Sequence, residues 1–208
     1  MALSGKITKL SKGKYYKKEE TPFGALEPDR YQVVKDLLED GDKTVGYLTG
    51  LSIYETLGLT TQISHTIQIG KNDVRPRFKR GRYTISFVRQ KNTITKENIP
   101  LLQLLDALRY IKKIPDTTAD HSCTRLLPHL RAMSSSDIFR IIRLAKKYPP
   151  STRALLGAML EECGYNEELV GLQDTLNPIS TYKIPKVDRV LSFTDKWNIQ
   201  PMKTQKLI

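Results

Sequence analysis

The feature that most constrains the fold of this chain is a change of hydrophobic period near Asn92. Residues 83–88 have the clearest period of two in the chain, which is the period of a strand with one buried face. After Asn92 apolar residues recur at three- and four-residue spacing for about 80 residues, which is the period of amphipathic helices. Strands followed by a long helical stretch predict an α+β fold with a helical C-terminal half.

Shorter signals in the first ninety residues predict where strands and helices lie. Residues 7–16 read as a β-hairpin that turns near Gly13. Asp29 is predicted to cap a helix that ends at Gly41, and Thr49 to cap a second helix that ends at Gly58. Extended segments at 66–69, 77–79 and 83–88 predict a small mixed or antiparallel sheet with basic residues on its exposed face or in its turns.

In the C-terminal half the signals are helix caps and stops. Ser134 and Asp137 resemble a capping arrangement, and Gly164 is predicted to follow the end of a later helix. Residues 189–193 are predicted to form a short strand. We expect three regions: 1–20 as the remnant of a winged-helix wing, 21–115 as an α+β domain, and 116–208 as a helical extension packed on it.

Length and composition exclude several classes of protein. The chain has 208 residues, which suffices for a sizeable core, and no apolar run approaches the roughly 18 residues of a membrane span. Its two cysteines, Cys123 and Cys163, cannot form a disulfide scaffold, so we expect a cytoplasmic protein with no membrane partner. The net charge of +12 favours a polyanionic partner.

The positive charge is concentrated in two segments. Residues 1–18 hold six lysines and no acidic residue, and residues 71–96 hold nine basic residues against the single Asp73. Between them, residues 19–70 carry nine acidic and three basic side chains. Two basic segments separated by an acidic stretch indicate contact with phosphate groups, although single charged runs are most often solvated surfaces.

Searches for catalytic or metal-binding patterns give no convincing site. His121, Cys123, His129 and the distant Cys163 lack the compact ligand pairs at both ends that structural zinc sites use. No phosphate-binding P-loop is present, and acids such as Asp36 and Asp73 are not clustered as a magnesium-dependent nuclease requires. We therefore predict no enzyme, no metal and no cofactor, with a nuclease or transferase acting on nucleic acid as the least supported alternative.

Three stretches resemble one protein family. Residues 10–16 (LSKGKYY) resemble the wing of AbiEi-like antitoxins, and residues 45–62 (VGYLTGLSIYETLGLTTQ) resemble the start of their second domain. Residues 99–108 (IPLLQLLDAL) resemble the helix that follows the sheet in that family. The resemblance covers residues 3–115, and beyond that only the helical character agrees.

The resemblance implies a function and partners. It implies a transcriptional autorepressor that serves as the antitoxin of a type IV toxin–antitoxin phage-defence system, with DNA and a nucleotidyltransferase-like toxin as partners. Members carry a helix-turn-helix ahead of the wing, whereas here Met1 falls just ahead of the wing hairpin. We therefore expect contacts with the DNA backbone, which position a protein without specifying sequence.

The candidate DNA-binding residues follow from the two basic segments. In the first segment they are Lys9, Lys12, Lys14 and Tyr15. In the second they are Arg75, Arg77, Lys79, Arg80 and Arg82. The alternative is a protein-interaction module whose basic sheet docks on a cognate toxin or another acidic partner, without sequence-specific DNA binding.

Overall fold

The computed structural model describes residues 8–11, 13–16, 19–21, 24–26 and 29–201. It has an α+β architecture that divides into two compact units. The first unit contains the described residues up to Ser52 together with Ser64–Thr95. The second contains Ile53–Ile63 and the described residues from Lys96 onward. This division falls at residue 95 rather than at the boundary of 115 expected from the sequence, and it places the first long helix after the sheet in the second unit.

The N-terminal part consists of two antiparallel strand pairs. Strands β1 (Thr8–Ser11) and β2 (Lys14–Tyr16) pair around Gly13, and β3 (Glu19–Thr21) pairs with β4 (Gly24–Leu26). Gly13 has a φ of +73°, a conformation that glycine adopts without steric cost. The predicted hairpin is thus confirmed for its described residues, while Ile7 and Lys12 lie outside them.

The first helix, α1 (Arg30–Leu38), begins where the sequence predicts. The Asp29 carboxylate accepts hydrogen bonds from the backbone N–H groups of Tyr31 and Gln32, as an N-cap does. The predicted end at Gly41 is wrong, because the backbone is already extended at Glu39. Gly41 instead lies in the turn between strands β5 (Glu39–Asp40) and β6 (Lys43–Thr44), with a φ of +58°.

A four-stranded mixed sheet forms the centre of the first unit. Its strands are β7 (Gly46–Thr49), β8 (Thr66–Lys71), β9 (Phe78–Arg80) and β10 (Tyr83–Arg89), arranged in the order β7-β8-β10-β9. β10 pairs with β8 in parallel and with β9 in the antiparallel sense. Between β7 and β8, α2 (Leu51–Tyr54) is a single turn, shorter than the predicted helix that was to end at Gly58.

Helix α1 covers one face of this sheet and forms a hydrophobic core with it. Every second residue of β8 and β10 faces the helix, as the strand period requires. The core contains Val33, Val34, Leu37, Leu38, Ile67, Ile69, Tyr83 and Ile85, all buried. Phe78 and Phe87 pack at its margin and are only partly buried. Residues 78 and 80 of β9 therefore face the helix, and Lys79 faces away from it.

The second unit is helical, in agreement with the sequence period. Its helices are α3 (Ile99–Arg109), α4 (Ala119–Arg131), α5 (Ser135–Ala145), α6 (Pro150–Glu162) and α7 (Val170–Gln173). The Ser134 hydroxyl accepts the Asp137 backbone N–H, so the predicted cap of α5 is confirmed. Gly164 follows the end of α6 with a φ of +94°, also as predicted.

The chain after α7 packs on α6 through Trp197. Trp197 is fully buried, and its indole N–H donates to Glu161 Oε2 at 2.7 Å. The ring lies against Gly157, where a Cβ atom would come within 2.2 Å of it. Strands β11 (Tyr182–Lys183) and β12 (Ile199–Gln200) pair in parallel beside this contact.

The predicted strand at residues 189–193 is wrong. A 3₁₀ turn covers Val187–Arg189, and the backbone N–H groups of Val190 and Leu191 both donate to Val187 O. Lys186, with a φ of +63°, reverses the chain just before this turn. The apolar residues here form a compact turn that buries Leu191, so their spacing does not reflect an extended strand.

Candidate nucleic-acid interface

Four of the predicted basic residues form an exposed group around β9. Arg75 and Arg77 lie in the segment before the strand, Lys79 lies within it, and Arg82 lies in the turn that follows. All four side chains are exposed. We call these four residues the basic edge, because β9 is the last strand on its side of the sheet.

The structure holds Arg75 over two aromatic rings. Its guanidinium lies 4.6 Å from the centroid of the Phe78 ring and 5.4 Å from that of Phe87. The two rings stack on each other with centroids 6.3 Å apart. A guanidinium over aromatic faces is attracted by their quadrupoles and remains able to donate hydrogen bonds outward. Arg75 is therefore ordered before any ligand arrives.

Arg82 is held in a similar way by the next residue. Its guanidinium lies 5.1 Å from the centroid of the Tyr83 ring and donates a hydrogen bond of 3.0 Å to the Tyr83 hydroxyl. Because Tyr83 is buried in the core of the unit, it provides a rigid support for an exposed cation. Two of the three arginines of the basic edge, Arg75 and Arg82, are thus supported by aromatic side chains.

Arg77 and Lys79 carry their charge without an acidic partner among the residues that the structure describes. Neither forms an ion pair with any residue of the described part of the chain. Asp73, the single acid of the segment 71–96, is also exposed. The basic edge therefore presents a net positive charge to solvent, which is the electrostatic requirement for holding a polyanion.

Arg80 does not belong to this surface, which corrects the expectation that it faces an exposed ligand. It is 5% exposed, and it donates to Val33 O at 2.7 Å and to the two Asp36 carboxylate oxygens at 2.6 and 3.2 Å. This fork-shaped contact joins the edge strand to α1. The signal for it was available in the sequence, because Arg80 shares the strand face of the apolar Phe78 and an acid lies in the preceding helix.

The first basic segment is described less completely. Lys9 lies in β1, and Lys14 and Tyr15 lie in β2, where the structure describes the strand pairing. Lys12 lies outside the described residues. In the second segment, sequence analysis did not single out Arg89 and Lys91, which are exposed at and just beyond the end of β10.

The alternative catalytic and metal sites are not assembled in the described part of the chain. There, no group of three His, Cys, Asp or Glu side chains is placed to hold a metal ion. Asp36 is engaged with Arg80, and Cys123 is fully buried. None of the helices described is long and apolar enough to cross a membrane.

Comparisons with known proteins do not identify the chain. No family model matches its sequence, and neither a curated protein nor a solved structure matches it. The resemblance to AbiEi-like antitoxins consequently stays a prediction.

Proposed function

We propose that this chain is an antitoxin-like transcriptional regulator that holds the phosphate backbone of DNA with its basic edge. The system to which it belongs would be a type IV toxin–antitoxin pair for phage defence, in which the regulator represses its own operon. The observation that carries the proposal is the exposed positive charge of Arg75, Arg77, Lys79 and Arg82 around β9.

The arrangement of the four cations suits a phosphate backbone. Each phosphate that a Lys or Arg side chain neutralises releases condensed counterions, so affinity depends on charge count and on salt. The stacks of Arg75 on Phe78 and of Arg82 on Tyr83 restrict both guanidinium groups before binding, which reduces the entropy cost of association. Lys9, Lys14 and Tyr15 of the first hairpin are proposed to add further backbone contacts.

The decisive experiment is a salt series of DNA binding with a matched pair of variants. One variant carries Arg75→Gln, Arg77→Gln and Lys79→Gln, and leaves the buried Arg80 intact. The control carries Lys113→Gln, Arg125→Gln and Lys183→Gln, which removes the same charge from exposed positions of the second unit. Both are titrated against a duplex of the upstream region and an unrelated duplex.

We expect the basic-edge variant to show both weaker binding and a weaker dependence on salt. The slope of log affinity against log salt should become shallower by about 0.9 for each phosphate that is no longer neutralised, hence by up to about 3. The control variant should keep the slope of the native protein. If the two variants show equal slopes of log affinity against log salt, the basic edge does not contribute to DNA binding. A preference of about a thousandfold for the upstream duplex would add base readout to the proposal.

The antitoxin part of the proposal needs its own experiment. We expect co-expression with the toxin encoded beside this chain to restore growth, and expression of the toxin alone to arrest it. Growth arrest that persists at full expression of the folded chain would contradict the antitoxin role and leave DNA binding as a separate result.

A protein-docking role is the second candidate, and one observation favours it. Val74 is an exposed apolar residue next to Arg75, and the partly buried Phe78 and Phe87 rings lie beneath that arginine. Arginine and aromatic side chains beside apolar surface are typical of protein interfaces. A complex with the toxin that Val74→Ser abolishes, with DNA affinity unchanged, would support this second role.

A further inference from the structure

The second unit has an uneven distribution of charge that the proposed function does not use. Residues 121–147 contain six Lys or Arg side chains and a single acid, Asp137. Residues 154–182 contain five acidic side chains and no Lys or Arg. A basic and an acidic region therefore follow one another within the same helical unit.

The basic region presents a stripe along the outer face of α5. Phe139, Arg143 and Lys146 are spaced by four and three residues, so they lie on one side of the helix. All three are exposed, and Phe139 retains 60% of its accessible surface, which is unusual for a phenylalanine. Arg143 and Lys146 form no ion pair within the described residues. We call these three residues the basic stripe.

The acidic region presents a second stripe on α7 and the 3₁₀ turn before it. Glu167, Val170, Gly171 and Asp174 are exposed, while Leu169 and Leu172 between them are buried. Val170 is 60% exposed, so this stripe also has an apolar residue at its centre. Glu167 and Asp174 form no ion pair in the part of the chain that the structure describes. We call this group the acidic stripe.

The two stripes meet at one point of the surface. A Cβ atom at Gly171 would lie 3.9 Å from Lys146 Nζ, so the end of the Lys146 side chain, at the C-cap of α5, lies beside α7. The two stripes therefore form one continuous surface with a basic half and an acidic half. Each half carries one exposed apolar side chain flanked by charges of a single sign.

We propose that this surface is a two-fold symmetric interface between two copies of the chain. In such an interface one surface meets itself, so it has to be complementary to itself after rotation. Rotation about an axis at the junction of the two stripes brings the basic stripe of one copy onto the acidic stripe of the other. Phe139 and Val170 then both lie within the area that the two copies bury. A partner with a purely basic or a purely acidic surface would be complementary in charge to only one of the two stripes.

The test uses two charge-reversed variants of the full chain. The first carries Arg143→Glu and Lys146→Glu, which makes both stripes acidic. The second carries Glu167→Lys and Asp174→Lys, which makes both stripes basic. A control with Lys113→Glu and Arg125→Glu changes the same number of exposed charges elsewhere in the unit. Sedimentation velocity measures the mass of each protein across a wide range of concentration, and circular dichroism checks that each is folded.

We expect the native chain and the control to form a concentration-dependent dimer that weakens as salt is added. Each reversed variant alone should dimerise at least roughly tenfold more weakly, because like charges then face each other. An equimolar mixture of the two variants should dimerise again, since an acidic surface meets a basic one. Phe139→Ser should weaken the dimer without changing its salt dependence.

Three results would overturn the proposal. One is a native chain that stays monomeric at every concentration, and another is a dimer that neither reversed variant weakens. The third is a mixture of the two variants that fails to associate although both are folded. Loss of DNA affinity in the first variant of a monomeric chain would assign the basic stripe to nucleic acid instead.

Discussion

Arg80 and Lys79 are adjacent basic residues with opposite environments. Side chains of a β-strand alternate between its two faces, so Arg80 shares the buried face with Phe78 while Lys79 is exposed. Burial lowers the pKa of the Arg80 guanidinium, yet arginine stays charged at any physiological pH. A buried charge of this kind requires a partner, and Asp36 with the Val33 carbonyl supplies it.

We expect Arg80→Met to destabilise the protein and Lys79→Met to leave it nearly unchanged. Removing Arg80 leaves the Asp36 carboxylate without its partner, but that carboxylate is 37% exposed and can still reach water. The cost should therefore lie at or just below the lower end for broken buried pairs, at about 2 to 3 kcal/mol of unfolding free energy. Urea unfolding followed by circular dichroism measures both variants. A loss below about 0.5 kcal/mol for Arg80→Met, the range of ordinary surface substitutions, would contradict this role for the ion pair.

At the scale of single elements, short sequence patterns correctly predicted some helices and strands and failed to predict others. The cap of α5 depends on residues three apart, Ser134 and Asp137, so the sequence alone predicted it. β8 pairs in parallel with β10 because β9 lies outside β10 at the edge of the sheet, an arrangement that no local period reports. Residues 189–193 have the apolar content of a strand, but hydrogen bonds to Val187 O close them into a turn.

The candidate site was predictable only in part. Arg75, Arg77, Lys79 and Arg82 are close in sequence, and the structure places them together at one edge of the sheet. The exposure of each side chain depends on which face of the strand it occupies and on the helix packed against that face. For this reason Arg80 is buried and the four residues of the basic edge are exposed. The stacking of Arg75 on Phe87 joins residues from a loop and a distant strand, so it required the three-dimensional structure.

The helix cap at Ser134 leads to a prediction for α5. Ser134→Ala removes the hydroxyl that accepts the Asp137 N–H at 3.2 Å, and should cost about 1 kcal/mol of unfolding free energy. Ser134→Asn retains an acceptor and should restore most of that loss. The neighbouring Ser135→Ala, which keeps the cap, serves as the control in the same urea titration. Equal stability of the two alanine variants would exclude a capping contribution from Ser134.

At the scale of the whole molecule, the two cysteines of the second unit differ in burial, so their reactivity can be used to follow its unfolding. Burial raises the pKa of the Cys123 thiol to about 12, and the Asp120 carboxylate acts in the same direction. Burial also raises the pKa of the Cys163 thiol, while the Arg131 guanidinium partly opposes it. Cys123 is fully buried, whereas Cys163 is only half-buried.

We expect iodoacetamide to modify Cys163 first and Cys123 only when the second unit unfolds. The thiolate is the reactive form, and a raised pKa leaves little of it near pH 8. In a Cys163→Ser variant, the labelling rate of Cys123 should rise across the unfolding transition in urea, as mass spectrometry of quenched samples would show. Labelling of Cys123 in native buffer as fast as in concentrated urea would contradict a closed core around α4.

The path of the chain between the two units has a consequence for protein engineering and for evolution. Residues 53–63 leave the first unit, contribute to the second, and the chain then returns to complete the sheet. No single cut yields both units intact, because a fragment ending at residue 95 carries a segment whose packing partners have been removed. Recombination at one breakpoint therefore cannot exchange either unit between genes, and the two units have to be inherited together.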